Sequence, residues 1–433
     1  MMIGVDRRTA AACPRSAARD SLYTPVRVVE LDLDEPGVLR APGGLGPVDP
    51  DGRVLALVRL HGHPLGLVTA TGTAGDSATL RRALVDAAHR DLRVPALSTA
   101  TPAARPGRVG RAGVPADLPR VSVVVATRDR PAMLRDCLDS LLRNRYPNYD
   151  VTVVDSAPSG EEARLLITGR YHGRVRYLRE PRPGVARAHN RGLAAATGEI
   201  LAIADDDTLV DAGWIDALVD GFEGDERIGC VTGLILPAEL ATRAQCALHD
   251  HGGFDKGFAR RSWSLDHPPE DPLFPFTAGR FGSGANMAFR IAALRAIGGF
   301  DTATGTGTPA LSGHDLLAFF RVIVNGRTLV YQPDAVVWHR HRRTEQALLG
   351  QAYSYGVGLG AYLAAALANE PGMLPALLRR LPRGAALALR RTRRRTPAGR
   401  PLPPQLARLE VKGLLYGPVG YLRGRFAGRT EPG

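Results

Sequence analysis

The chain has 433 residues, 44% of them hydrophobic, which is enough for two or three domains around a large core. Its four cysteines, Cys13, Cys137, Cys230 and Cys246, show no metal-type spacing; this excludes a cysteine-held metal centre and suits thiols that pack in a reducing cytosol. The formal net charge of +13 sits almost entirely in residues 371–433, where 14 Arg or Lys face 2 Glu, so the first 370 residues are close to neutral.

Residues 1–20 mix Arg, Asp and Ala without an apolar core and read as a disordered N-terminus, not a signal peptide. Residues 21–98 read as a small α+β module. Val26–Leu31 and Val54–Leu60 are predicted strands, and a turn at His61-Gly62-His63-Pro64 leads into a third at Leu65–Thr69. A helix follows from Ser77 to about Leu92, capped by Asp76 or Ser77, with Leu80, Leu84, Val85 and Ala88 on one face. His61 and His63 have no acidic or thiol neighbour in this turn and are not read as ligands. Nothing in the module assigns it a function. Residues 99–119, rich in Pro, Ala, Gly and Arg, read as a linker.

The pattern changes at residue 120. Val121–Ala126 is a predicted buried strand and Ala132–Asn144 a helix with Leu134, Cys137, Leu138, Leu141 and Leu142 on its inner face. Strands at Val151–Asp155 and Val175–Leu178, then a helix from about Val185 to Thr197, lead to the apolar run Ile200–Ala204. Alternation of this kind predicts an α/β domain with a mostly parallel, doubly wound sheet over residues 120–345. No G-x-G-x-x-G follows the first strand, which argues against a dinucleotide dehydrogenase. Directly after Ile200–Ala204 come Asp205, Asp206 and Asp207. Ligands of such sheets bind beyond the carboxyl ends of the strands. Three like charges in one turn need a cation, and a hard divalent metal bridging to phosphate oxygens is one that suits carboxylates. A solvated acidic loop is the other reading.

From Val121 to about Arg343 the chain resembles family 2 glycosyltransferases of the GT-A nucleotide-sugar-binding fold. The resemblance rests on an ordered set of segments: Val121–Arg130, Val153–Ser156, Pro183–Gly192, Asp205–Asp207, Gly284–Arg290, Gly298–Asp301 and Gly313–Asp315. It implies an inverting, metal-dependent transfer of sugar from a nucleotide-diphosphate donor, with Mn2+ or Mg2+ as cofactor. In the family's pattern Asp207 ligates the metal and Asp205 acts with it, through the metal's shell or the ribose. Asp206 is a spacer or a secondary ligand beside the nucleotide sugar. Asp155 matches the acid that contacts the base, while Thr127, Arg128 and Asp129 at the end of the first strand line the nucleotide, and Arg187 and Asn190 open a helix on the same edge. Asp315 matches the general base, following the Gly-rich loop Gly305–Gly313. His314 stands where the family usually has Glu. Gly284, Asn286 and His314 are expected beside the acceptor or donor sugar. A His after the last strand is often a third metal ligand, which points to His339, with His341 in reserve. One base beside a metal cluster fits inverting transfer better than the paired acids of a glycosidase.

Residues 346–433 read as a helical, basic amphipathic region. Leu348–Ala368 has no formal charge but carries Gln351, three Tyr and four Gly, and is expected to pack on the catalytic domain or a membrane surface instead of spanning one. Beyond Leu374, Leu and Ala alternate with paired and tripled Arg, the pattern of an anchor for anionic lipid; no aromatic lies between Tyr362 and Tyr416, so nucleic acid is not an expected partner. The expected protein is therefore cytoplasmic and peripheral to the membrane, acting on a saccharide or lipid-linked acceptor in polysaccharide or cell-envelope synthesis. Two other classes remain: a nucleotidyl- or phosphotransferase using the same acids, for which a Lys-bearing phosphate loop is missing, and a non-catalytic protein binding membrane or nucleic acid.

Overall fold

The computed structural model describes residues 25–73, 75–92, 118–250, 254–380, 382 and 404–430. The N-terminus expected to be disordered, and all but the end of the expected linker, lie outside the described residues.

Strands β1 (Val26–Asp32), β2 (Leu39–Arg40), β3 (Gly52–Leu60) and β4 (His63–Gly72) form a sheet in the order β2-β1-β3-β4. Helix α1 (Ser77–Leu92) buries Leu80, Leu84, Ala87 and Ala88 against Val54, Ala56, Val58 and Val68. The β3–β4 hairpin turns on His61 and Gly62, both at positive φ, as a turn matching strand twist requires. The turn's histidines, alone in sequence, each meet an acid in space: His61 Nδ1 lies 3.0 Å from Asp34 and His63 Nδ1 3.1 Å from Asp334.

The second sheet comprises β5 (Val121–Thr127), β6 (Tyr149–Ser156), β7 (Val175–Glu180), β8 (Ile200–Asp205), β9 (Thr208–Val210), β10 (Ile228–Pro237), β11 (Arg261–Trp263), β12 (Asn286–Arg290) and β13 (Thr328–His339). Its order is β11-β13-β10-β12-β8-β5-β6-β7, with β9 paired to β13. Strands β7, β6, β5 and β8 are all parallel, β10 and β13 are parallel, and β12 runs antiparallel between the two groups. The sheet is thus mostly parallel. Alternate residues of β5 enter different cores, Val121, Val123 and Val125 on one face and Val124 on the other; burial of both faces is why this strand reads as an unbroken apolar run. Helices α2 (Pro131–Leu141), α3 (Glu162–Arg170) and α5 (Trp214–Gly221) cover the first face. Helices α4 (Val185–Ala195), α7 (Ile291–Ala296) and α8 (His314–Val324) cover the second, and α6 (Arg243–Asp250) packs at the side.

Strand β13 carries an irregularity: adjacent residues Gly233 and Leu234 of β10 pair with Gln332 and Val336. The three residues between include Pro333, which has no N–H for a ladder and is accommodated by the bulge. Asn286 closes it, its amide nitrogen donating to Leu234 O (3.0 Å) and Ala335 O (2.7 Å).

Two long helices complete the chain, α9 (Glu345–Asn369) and α10 (Pro404–Thr430). They pack backbone to backbone. A Cβ on Gly356 or Gly360 of α9 would lie within about 2 Å of the Glu410 or Leu414 carbonyl of α10, and one on Gly413 or Gly417 of α10 would strike the backbone of α9. Gly358 lies against Ser312. The Gly356-x-Gly358-x-Gly360 run therefore serves close helix packing. Among the described residues no helix is long and apolar enough to cross a membrane.

The small sheet sits on the large one through Arg59, which is buried and donates to Glu30 Oε2 (2.8 Å), Asp211 Oδ2 (2.8 Å) and Gly62 O (3.0 Å). Removing a buried cation leaves two carboxylates facing each other without compensation, a loss of about 3 kcal/mol or more. Arg59→Ala is therefore expected to lower the urea midpoint clearly, whereas Arg40→Ala, at an exposed pair, should leave it nearly unchanged; equal small effects would remove Arg59 as the clamp.

Candidate active site

Strand β5 lies between β6 and β8, so the chain's direction of winding reverses at β5 and the carboxyl edge opens a crevice there. Register fixes what stands on that edge: Thr127 of β5 lies beside Asp155 of β6, and Ala126 beside Asp205 of β8. Asp206 and Asp207 form the turn into β9. That turn is held by Thr208 Oγ1 donating to Asp205 O (2.7 Å) and Arg340 N donating to Asp207 O (2.9 Å). Because β9 pairs with β13, His339 falls opposite Thr208, next to Asp207.

A cleft of about 390 Å³ opens over this edge, lined among others by Thr127, Arg128, Arg130, Asp205, Asp206, Asp207, Gly284, His314, Asp315 and His339. Asp205, Asp207 and His339 each offer one ligand atom, all within 4.8 Å of one another. His339 Nε2 is 3.2 Å from Asp207 Oδ1, close enough for ion pairing but not aligned as a hydrogen bond, so Oδ1 is buried without a donor. Two carboxylates and an imidazole converging with an unsatisfied oxygen are a donor set that can hold a divalent cation such as Mn2+ or Mg2+.

Each charge is set by its neighbours. Burial, then the charge of Asp207, pushes the Asp205 carboxyl up to about 7. Burial would raise Asp207 too, but the His339 and Arg130 cations outweigh it and hold Asp207 well below the usual range. Asp206 is raised by burial and by Asp207, although Thr127 Oγ1 (2.8 Å) and Arg130 Nη1 (3.1 Å) donate to it. Arg130 Nη1 also reaches Asp207 Oδ2 at 3.2 Å. Burial pulls His339 down, and Asp207 with Asp205 more than reverses this. His341 stands behind His339, the two Nδ1 atoms 3.2 Å apart. Burial and the His339 charge lower it to about 3. The contact with His341 engages His339 through Nδ1, while its Nε2 faces Asp207.

Asp315 lines the same cleft. Gly313, at left-handed φ, starts α8, and Asp315 Oδ2 accepts from Gly284 N at 2.8 Å instead of capping its own helix. His314 packs against the rings of His189 and Phe300; both its ring nitrogens are buried without a hydrogen bond, and Nδ1 lies 4.0 Å from Asp315 Oδ1. Burial lowers its pKa, so it is neutral.

Other residues singled out in sequence stand farther from the opening. Asp155 is fully buried, accepts from Tyr177 OH (3.0 Å) and keeps Oδ1 unpartnered. Asp129 accepts from Ser159 N (2.9 Å). Asn190 is engaged at both amide atoms by the Phe300 backbone (2.7 and 2.8 Å), and Arg187 is half-buried on α4. Asn286 is fully buried, bonded at the β13 bulge and accepting from Trp214 Nε1 at 2.9 Å. Sequence reasoning did not pick out Arg130, although the demand for a cation beside three acids pointed to one. It also missed Phe254, Arg342, Gln351 and Tyr355, which line the cleft from distant segments; no local signal marks them.

To bind a cation, Asp205 and His339 must both be free of protons. Mn2+ affinity is therefore expected to fall as pH drops through about 7, by roughly tenfold per unit for each proton displaced, and His339→Ala should weaken it at pH 8. Calorimetry with Mn2+ at pH 6 and pH 8 measures both; a flat pH profile would take Asp205 out of the ligand set.

Residues 122–298 match the family model described as Glycosyl transferase family 2. Over 230 residues the chain is 24% identical to the glucosyl-dolichyl phosphate glucuronosyltransferase of Haloferax volcanii, covering 51% of this chain and 69% of that protein. It is 29% identical over 241 residues to the pre-mycofactocin glycosyltransferase of Mycobacterium tuberculosis, covering 54% of this chain and 46% of that one. A solved structure of the mannosyltransferase PcManGT from Pyrobaculum calidifontis, in complex with GDP-Man and Mn2+, aligns at 20% identity with a TM-score of 0.43 over 73% of this chain and 88% of the other. Residues 122–298 are thus the part of the chain that matches Glycosyl transferase family 2, and over about half its length the chain is similar to these two glycosyltransferases.

Proposed function

We propose that the protein moves a sugar, with inversion, from a nucleotide-diphosphate sugar to a saccharide or lipid-linked acceptor in polysaccharide or cell-envelope synthesis. The observation that carries this reading is that the Asp205, Asp207 and His339 cluster and Asp315 line one cleft. A divalent ion at that cluster supplies Lewis-acid compensation for the charge that grows on the leaving diphosphate. Arg130 and Arg342 add positive charge along the same wall. Asp155 and Thr127, with Arg128, Asp129 and Asp206, serve the nucleotide end; Arg187 and Asn190 support that edge from α4. Gly284 and His314 flank the sugar, and Asn286 holds the strand beneath it.

Gly284 N–H fixes one oxygen of Asp315, leaving the other to accept the acceptor's hydroxyl proton. As that proton moves to Asp315, the acceptor oxygen forms its bond to the anomeric carbon. The bond from that carbon to the diphosphate oxygen breaks, and the diphosphate leaves with the electron pair. Attack from the face opposite the leaving group inverts the anomeric centre. Where the family usually has Glu before this base, neutral His314 removes a negative charge from the sugar's surroundings. The dolichyl phosphate in one relative's name supports a lipid-linked acceptor, and the Arg-rich C-terminal region supports a site of action at the cytoplasmic face of a membrane, held there by charge.

Screening UDP-, GDP- and dTDP-sugars for Mn2+-dependent binding identifies the donor. With it, Asp315→Asn should cut transfer by about 100-fold or more while donor binding persists, and Asp207→Asn should abolish the Mn2+ dependence of binding. Full transfer by both variants, or a product with retained anomeric configuration by NMR, sinks this mechanism.

A further inference from the structure

Helix α10 has two faces of different character. Its inner row, Gly413, Gly417, Gly420 and Gly424, lies on backbone of other elements: Gly413 and Gly417 on α9, Gly420 on the Pro309 carbonyl and Gly424 on the Ala303 carbonyl. Tyr421 OH donates to Asp301 Oδ2 at 3.0 Å. The helix thus straps the segment Asp301–Gly313. That segment's other side lines the cleft through Thr306, Gly307 and Ser312 and leads directly into Asp315.

The outer row is apolar, and among the described residues nothing covers it. Val411, Leu415, Val419, Leu422 and Phe426 follow steps of four, four, three and four residues, which puts them on one side of a helix. Leu415 is 76% exposed and Phe426 62%. Lys412 and Arg423 border one edge of this row, Arg425 the other, and Arg408 its start. The only acid of the helix, Glu410, has its backbone on the inner side against Gly356. An apolar row bordered on both edges by cations fits a lipid surface, because Arg and Lys stems can lie along the apolar boundary while their heads reach anionic headgroups. Pairing with a second copy would instead set these cations against the same cations without acids to answer them.

We propose that α10 docks by this face on an anionic lipid bilayer, with Val411, Leu415, Val419, Leu422 and Phe426 immersed at the headgroup boundary. This rests on the reading of the C-terminal region as membrane-associated and replaces a purely electrostatic tether with an inserted helix face. It sets the strapped segment, and with it the acceptor side of the cleft, about one helix diameter (roughly 10 Å) from the lipid surface, within reach of a headgroup-linked acceptor.

The full chain is sedimented with vesicles of phosphatidylcholine alone and of phosphatidylcholine with 40% phosphatidylglycerol. Binding to the second set is expected, with at least about a tenfold loss for Leu415→Glu/Phe426→Glu, while melting temperature and Mn2+ affinity stay as in the native chain. Arg393→Gln/Arg394→Gln/Arg395→Gln is expected to weaken binding while leaving the part that survives 0.5 M salt. If the arginine variant alone abolishes binding and the Leu415/Phe426 variant binds fully, the electrostatic reading stands and this inference is overturned. If the native chain binds neither vesicle, both are overturned. A native dimer by light scattering that the Leu415/Phe426 variant turns into a monomer, without vesicle binding, assigns the face to a second copy and overturns the inference as well.

Discussion

Three carboxylates forced into one turn at the end of β8 are the constraint around which this site is built. Their mutual repulsion is strongest where water is excluded, and Asp206 and Asp207 are nearly fully buried. The fold answers with cations from two directions, Arg130 from the start of α2 and His339 from the end of β13. The answer is uneven. Asp207 stays ionised, whereas Asp205 is pushed toward its neutral form. That imbalance leaves a place for one more positive charge.

The second wall depends on close backbone contact. Gly305 and Gly307 bring the segment before Asp315 against the start of α4, where Val185 N donates to Thr306 O at 2.9 Å. Gly358 of α9 presses on Ser312 from another side, and α10 closes over Ala303 and Pro309. A loop rich in glycine would be costly to order by itself; here α4, α9 and α10 hold it. The C-terminal helices are therefore part of what holds the segment that leads into Asp315.

Legibility followed the range of each interaction. Strand β8 and its acids could be read locally, because an apolar run followed by charges needs no distant partner to be recognised. The hairpin at His61 was legible as a turn, but its acidic partners were not, since Asp34 arrives from the turn after β1 and Asp334 from β13. Asn286 illustrates the opposite problem: a polar residue in a motif is conspicuous in sequence, and only its three hydrogen bonds to Trp214, Leu234 and Ala335 reveal that it closes a bulge. Three of the four glycines of α9 are explained only by tertiary contacts, Gly356 and Gly360 by the partner helix and Gly358 by Ser312.

By itself the sequence determined the type of domain, the edge of the sheet that carries chemistry, and the residue types available there, because periodicity, turn chemistry and ordered motifs are local properties of the chain. Only the tertiary structure decided which charges meet. Asp207 and His339 are brought together by the pairing of β9 with β13, Arg130 is turned onto the acids by the start of α2, and Tyr355 reaches the cleft from a helix that sequence assigned to packing or lipid. Those contacts join residues far apart along the chain, and their energies exist only once the backbone between them has folded.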